Sequence, residues 1–196
     1  EAPYSTENLR EELEIPINAF VFGRIGRDDD NIYDATNITA YSKIENNNTY
    51  FIFVNPSKRC RGDIKRLGIK NAKYVARTTN ETRLSKFYNS LDVLAHSRKD
   101  GECNPANVWE AAAHRKPVIS HYGNRYAGQV ETIQDSGFVV LSGDIDEYAR
   151  IMNAFIRGIV DYQTLSDNAY RQWQKVTPEL MGNAQLKIYK DLLKNT

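Results

Sequence analysis

Apolar residues follow two alternating rhythms along this chain: short runs that are apolar almost throughout, and longer stretches where apolar positions recur every three or four residues. The first is the rhythm of strands buried on both faces, the second that of amphipathic helices. Strands are expected at residues 18–24 (NAFVFGR), 49–55 (TYFIFVN, closed by Pro56), near 72–76, at 91–96 (LDVLAH), 117–120 (PVIS) and 137–141 (GFVVL). Between them, helices are expected at 31–46, where Ile32, Ala35, Ile38 and Tyr41 or Ile44 share a face, at the short basic segment 58–67, at 81–90 and at 106–114. From Asp144 onward the pattern is wholly helical, through 144–160, 161–175 and 179–193. Such an order predicts an α/β fold: a Rossmann-like, doubly wound parallel sheet of about six strands, helices on both faces, and a helical C-terminal tail.

A chain of 196 residues, 41% hydrophobic and 11% aromatic, can bury one good core, so residues 1–196 are expected to form a single domain. Lysine plus arginine (26) and aspartate plus glutamate (25) nearly cancel. No global field therefore argues for nucleic acid or an acidic membrane, and an anionic ligand must be held by a local site. The two cysteines, Cys60 and Cys103, make neither a disulfide framework nor a metal cluster, which suits a cytoplasmic setting. Glycosylation-type sequons occur at Asn37, Asn47 and Asn80, but the opening Glu1-Ala2-Pro3 is no signal peptide, so these are expected to be unmodified. No apolar run approaches the ~20 residues that cross a bilayer, and no membrane span is expected.

In an open parallel sheet, ligands bind beyond the carboxyl ends of the strands, where helix N-termini offer amides to anions. Three such loops stand out. After the first strand comes Gly23-Arg24-Ile25-Gly26-Arg27-Asp28-Asp29-Asp30, whose arginines can either clamp a diphosphate or pair with the neighbouring aspartates. After the third comes Ala76-Arg77-Thr78-Thr79-Asn80, which on its residues alone reads as a helix cap, with backbone on which a nucleotide base rests as the alternative. The third loop spans residues 97–110 and contains Glu102, Asn104-Pro105 and Glu110. Asn104 is expected as N-cap with Pro105 at the first helical position, leaving backbone N–H groups from Ala106 to Val108 for a phosphate. Glu110, a turn further on, can accept hydrogen bonds from a vicinal diol, and Glu102 from sugar hydroxyls beyond the phosphate. Against this stands the plain alternative of a solvent-facing Glu110 and an ordinary loop acid at Glu102. His96, His114 and His121 are scattered and read as structural, and Trp109 and Trp173 as core residues.

The spacing of Glu102 and Glu110 resembles the E-x7-E motif of retaining GT-B glycosyltransferases related to glycogen synthase and the bacterial lipopolysaccharide transferases. Residues 87–93 (FYNSLDV) resemble the family's aromatic-x-x-[AS]-D-hydrophobic segment, and Glu110-Ala111-Ala112-Ala113 with Lys116-Pro117-Val118-Ile119 its E-A-M-A-x-G-x-P-V-I continuation. Residues 9–27 are similar to the linker helix and first strand of the donor-binding domain. By this resemblance Arg24 or Arg27 contacts the donor diphosphate, Thr78 and Thr79 face the base, and Glu102, Cys103, Asn104 and Pro105 line the sugar pocket. Backbone at Ala106, Asn107 and Val108 then binds phosphate, and Glu110 the ribose.

The reaction so implied moves a sugar from a UDP- or GDP-linked donor to an acceptor hydroxyl, with retention, without a metal or other cofactor. Two departures stand against it. The lysine that family members carry after G-R is replaced by Asp28-Asp29-Asp30, for which Arg27 is the candidate substitute, and E-G-F-G has become Glu102-Cys103-Asn104-Pro105, which should narrow the sugar pocket. A GT-B enzyme also has two Rossmann-like domains. The chain is therefore expected to be the donor half, with the N-terminal acceptor domain outside it. A sugar-nucleotide epimerase and a non-catalytic nucleotide-sugar-binding module remain the alternatives.

Overall fold

The computed structural model describes residues 6–194. The strands are β1 (Phe20–Ile25), β2 (Thr49–Val54), β3 (Ala72–Val75), β4 (Val93–Ala95), β5 (Val118–His121) and β6 (Gly137–Val140). They form one parallel sheet in the order β3-β2-β1-β4-β5-β6. The winding reverses between β1 and β4, so the loops that leave these two strands diverge and open a crevice at the carboxyl edge.

Alternate residues of each strand point to opposite faces, and both faces are covered. Phe22, Phe51, Phe53, Val93 and Ile119 pack under α1 (Thr36–Ser42), α2 (Lys58–Arg66) and α6 (Ile145–Ile156). Val21, Ile52, Val75, Leu94 and Val118 pack under α3 (Glu81–Ser90), α4 (Ala106–Ala113) and α5 (Gly128–Ile133). The expected doubly wound sheet is thus the one observed. Asp92, the acid of the FYNSLDV segment, is a structural residue at the opposite edge: its Oδ2 accepts from Arg10 at 3.0 Å and from the Val21 N–H at 2.7 Å.

Four local expectations need correction. The expected linker helix is a single turn over residues 10–14, closed by Glu14 at φ 53° and by Pro16. The helix expected from residue 31 begins only at Thr36, because the Asp34 carboxylate accepts the Thr36 N–H at 2.8 Å and Tyr33 turns away to donate to Asp63. Helix α5 has no counterpart in the sequence reading, since six residues are too few to display a helical period. Trp109 and Trp173 are half-buried rather than core residues.

The C-terminal region is helical as expected, with α7 (Tyr162–Gln174) and α8 (Pro178–Lys194) following α6. Asp144 and Asp161 cap α6 and α7 through their side chains, and Gly158, at φ 65°, follows the end of α6. Helix α8 leaves Leu180, Met181, Leu186, Ile188, Tyr189, Leu192 and Leu193 exposed. Among the described residues no helix is long and apolar enough to cross a membrane. The Asn37 sequon is fully buried, its amide donating to the Ala95 carbonyl at 2.7 Å.

Candidate active site

Arg24 projects from the last turn of β1 beside the β1/β4 crevice. Its side chain is 7% exposed, its Nε has no hydrogen-bond partner, and among the described residues it forms no ion pair. The Tyr33 ring lies 5.4 Å from the guanidinium and gives it a favourable contact. A buried cation without an anion is unfavourable by several kcal/mol unless something outside the protein compensates it. The neighbouring aspartates do not do so. Asp29 accepts from Asn31 and Asp30 from the backbone of Arg59, both turned away from Arg24. The alternative in which the arginines pair with the acids beside them is therefore not what the chain adopts.

Arg27 is exposed and lines a cleft of about 450 Å³ with Gly26, Asp28, Asn55, Arg77 and Thr78. This cleft lies over the carboxyl ends of β1, β2 and β3. Thr78 and Arg27 thus line the same cleft. Thr79 points to solvent outside this lining, and the capping role belongs to Asn80, whose side chain accepts the Arg83 N–H at 2.9 Å.

Glu102 sits on the loop after β4, its side chain 16% exposed. One oxygen, Oε1, lies 3.4 Å from His96 Nε2 and 3.5 Å from Arg98 Nη1. Desolvation opposes its charge, but the His96 hydrogen bond and the nearby positive groups, Arg98 and Arg27 among them, outweigh it and hold the carboxyl below its ordinary value. His96 itself is pushed down by burial, so near neutrality it acts as a neutral donor and the arginines carry the charge. Its Nδ1 lies 2.8 Å from Ser120 Oγ and its Nε2 faces Glu102, so that a proton on Nε2 lets the ring donate to the carboxylate. An ionised carboxylate is thereby kept at the crevice.

Behind it lies a second buried pair. Asp34 Oδ1 accepts from Ser97 at 2.7 Å and stands 3.4 Å from Nε2 of His121, whose Nδ1 faces the Tyr122 carbonyl at 2.7 Å. Both ring nitrogens therefore face acceptors. Burial alone would lower the His121 pKa, yet Asp34 and the Tyr122 carbonyl raise it; burial likewise favours a neutral Asp34, yet hydrogen bonds from His121, Thr36 and Ser97 hold it well below the carboxylate range. The pair ties together the loops that leave β1, β4 and β5. His96 and His121 are structural in the sense expected, although each touches a group at the crevice.

The start of α4 differs from expectation. Pro105, not Asn104, is the capping residue, and no side chain caps the helix. The Ala106 N–H donates to the Asn104 carbonyl at 3.1 Å and the Val108 N–H to that of Pro105 at 3.0 Å, so both are already engaged. Val108 buries its side chain in the core. Asn107 differs: its backbone N–H has no partner among the described residues, and its buried Oδ1 is also unpaired. Cys103 and Asn104 are exposed and border a separate groove with Pro105 and Trp109.

Glu110 lies one turn along α4 in a groove between α3 and α4, with Ser85, Tyr88, His114 and Trp173. The residue is exposed at the rim of this groove, yet its carboxylate is engaged, Oε2 accepting from the Tyr88 hydroxyl at 2.6 Å. Desolvation raises its pKa, with Glu102 adding to the effect and Tyr88 opposing it. The two glutamates thus feel one another, as do Arg27 and Glu102, but the expected site residues do not line one cavity: Arg27 and Thr78 line one cleft, Glu110 a second, and Cys103, Asn104 and Pro105 a third. Sequence reasoning missed Asp34, Tyr88, Arg98 and Gln129. Tertiary contacts mark Asp34 and Gln129, whereas Arg98 stands four residues before Glu102 and Tyr88 within the FYNSLDV segment. Among the described residues no three His, Cys, Asp or Glu side chains converge as metal ligands.

No curated protein sequence matches the chain. Solved structures do. HepE of Anabaena, in complex with UDP and glucose, superposes with a TM-score of 0.79 at 22% identity over 93% of this chain and 50% of its own. A glycosyltransferase of Rickettsia africae gives 0.81 at 20% identity, over 95% and 51%. Sucrose-phosphate synthase of Thermosynechococcus elongatus gives 0.77 at 17%, over 97% and 51%. The chain spans about half the length of these structures, which share its Rossmann-like fold. The sequence profile of the glycosyl transferases group 1 matches residues 5–172, from before β1 to the last turn of α7, and the chain belongs to that family.

Proposed function

We propose that this chain is the donor-binding part of a retaining glycosyltransferase, which moves a sugar from a UDP- or GDP-linked donor to an acceptor hydroxyl. The observation that carries this reading is Arg24, a buried arginine at the strand-order reversal whose Nε is unpaired and which has no anionic partner among the described residues. A donor diphosphate would supply the missing charge. Arg27 approaches the same anion from the exposed side, and the Asn107 amide offers a third donor. As the bond from the anomeric carbon to the diphosphate breaks, negative charge grows on the leaving oxygen. Fixed positive groups then stabilise the transition state more than the ground state, and no metal is needed for that task.

Glu102, ionised and beside Arg27, accepts from sugar hydroxyls; Cys103, Asn104 and Pro105 border the sugar. Glu110 accepts from the ribose diol, and Thr78 faces the base. Ala106 and Val108 shape the helix start rather than donate to phosphate, because their N–H groups are engaged. An acceptor domain lies outside these residues, in keeping with the half-length match to solved structures. UDP and glucose bound to HepE are in accord with a donor of this class.

Glu110→Ala is expected to weaken binding of UDP or GDP by about 10- to 100-fold, the loss of one or two charge-assisted hydrogen bonds. Binding of the 2′,3′-dideoxynucleoside diphosphate should not change. Calorimetry with both ligands checks this, and equal loss for both would remove the ribose assignment. Retention is tested by NMR of the product formed from an α-linked donor and a simple hydroxyl acceptor: an inverted linkage contradicts the mechanism. Accumulation of an epimerised donor without any transfer would favour the epimerase.

A further inference from the structure

We propose that Gln129 is a positioning residue that fixes the backbone of Glu102, and with it the carboxylate offered to the donor sugar. This rests on the donor-site reading above. Gln129 is fully buried on the first turn of α5. Its Oε1 accepts the Glu102 N–H at 2.9 Å, while its Nε2 donates to the His121 carbonyl at 3.1 Å, at the end of β5. One residue earlier, the Gly128 N–H donates to the Glu102 carbonyl at 2.8 Å. Both backbone polar groups of Glu102 are thus held by two consecutive residues of α5.

The surrounding backbone leaves little room for another arrangement. A side chain at Gly128 would overlap the carbonyls of Glu102 and Cys103, one at Gly123 would overlap the backbone of Gly101, and Gly101, at φ 70°, lies against the Tyr126 carbonyl. Further along the seam, the N–H groups of Asn124 and Tyr126 donate to the carbonyls of Lys99 and Asp100 at 2.9 and 2.8 Å. By contrast, the contacts of the Glu102 carboxylate itself are long, 3.4 Å to His96 and 3.5 Å to Arg98. Its direction is therefore set mainly by the backbone that carries it. Gln129 touches neither Arg24, Thr78 nor Glu110, so its effect should fall on the sugar and spare the nucleotide. A displacement of about 1 Å at a group that positions substrate can lower a rate about 100-fold.

The test compares wild type with Gln129→Met, which keeps length and volume but removes the side-chain hydrogen bonds to Glu102, His121 and Tyr126, and with Gly128→Ala, which shifts the same loop sterically. Calorimetric titration with UDP, UDP-glucose, GDP and GDP-mannose should show nucleoside diphosphate affinity within about twofold of wild type. The additional affinity conferred by the sugar should be lost in both variants. A merely structural role would lower thermal stability and affinity for all four ligands together, leaving the sugar increment intact, and would overturn the assignment. Should neither variant fold, amide exchange in the wild type decides: the Glu102 and Gly128 amides must exchange as slowly as those of β5, and rapid exchange overturns the clamp. A wild-type chain that binds none of the four ligands overturns the donor-site reading itself. Binding by wild type with an unchanged sugar increment in the variants overturns Gln129 alone.

Discussion

Replacing Arg24 with leucine is expected to lower the affinity for a nucleoside diphosphate by about 100-fold, while making the unliganded chain more stable. Both effects have one cause. In the free chain Arg24 is largely withdrawn from solvent, with its Nε unpaired and no anion paired with it among the described residues, and an apolar side chain of similar reach removes that penalty. The contact with Tyr33 offsets part of it, so the expected gain is about 1–2 kcal/mol, or a rise of roughly 2–8 °C in melting temperature for a chain of this size. In the complex the same side chain meets the diphosphate, and its loss leaves that charge without a buried partner. Thermal scans with and without ligand read both signs. A leucine variant that melts earlier and binds as well as wild type would make Arg24 a packing residue.

Asp34→Asn is expected to destabilise the chain by about 3–5 kcal/mol, because it removes one member of a buried pair and strands the other. His121 Nε2 would face a neutral amide in place of a carboxylate. The pH dependence has a defined sign on each side. His121, raised in the folded chain, contributes stability that is complete below its unfolded value of about 6.5 and is lost as pH rises through the higher folded value. Asp34, lowered in the folded chain, contributes stability that is complete above about pH 4 and is lost as pH falls through its lower folded value. The difference in melting temperature between wild type and Asp34→Asn should therefore be widest between about pH 4 and pH 6.5. A difference that is flat with pH would mean that the pair is not ionised.

The strand and helix order was legible because strands buried on both faces leave unbroken apolar runs, as in TYFIFV of β2. The start of α1 was not. Ile32 and Ala35 continue the helical spacing, but Asp34 uses its carboxylate to accept from Thr36, Ser97 and His121, and those partners lie up to 87 residues away (121 minus 34). Asn104-Pro105 misled by one position, since a proline can precede the first helical residue as well as be it. Glu102 and Glu110 are candidates through their resemblance to the E-x7-E motif, and Arg24 through its place after an apolar strand. That Arg24 would lack a partner could not be read, because three aspartates follow it and only the fold turns them aside. Tyr88 stands in the FYNSLDV segment but nothing local pairs it with Glu110, and Gln129 carries no local signal: each acquires its role from a single distant carboxylate or amide, Glu110 in one case and Glu102 in the other.

The central claim, that the carboxyl edge of this sheet binds a nucleoside diphosphate sugar, is tested most directly by amide chemical-shift mapping during titration of the chain with UDP-glucose and GDP-mannose. The account predicts saturable shifts for one of these donors, concentrated at Gly26, Arg27, Thr78, Glu102, Cys103 and Asn107, and absent from the opposite edge at Arg10 and Asp92. Absence of saturable shifts with either donor, or shifts centred away from the loops after β1, β3 and β4, would contradict it.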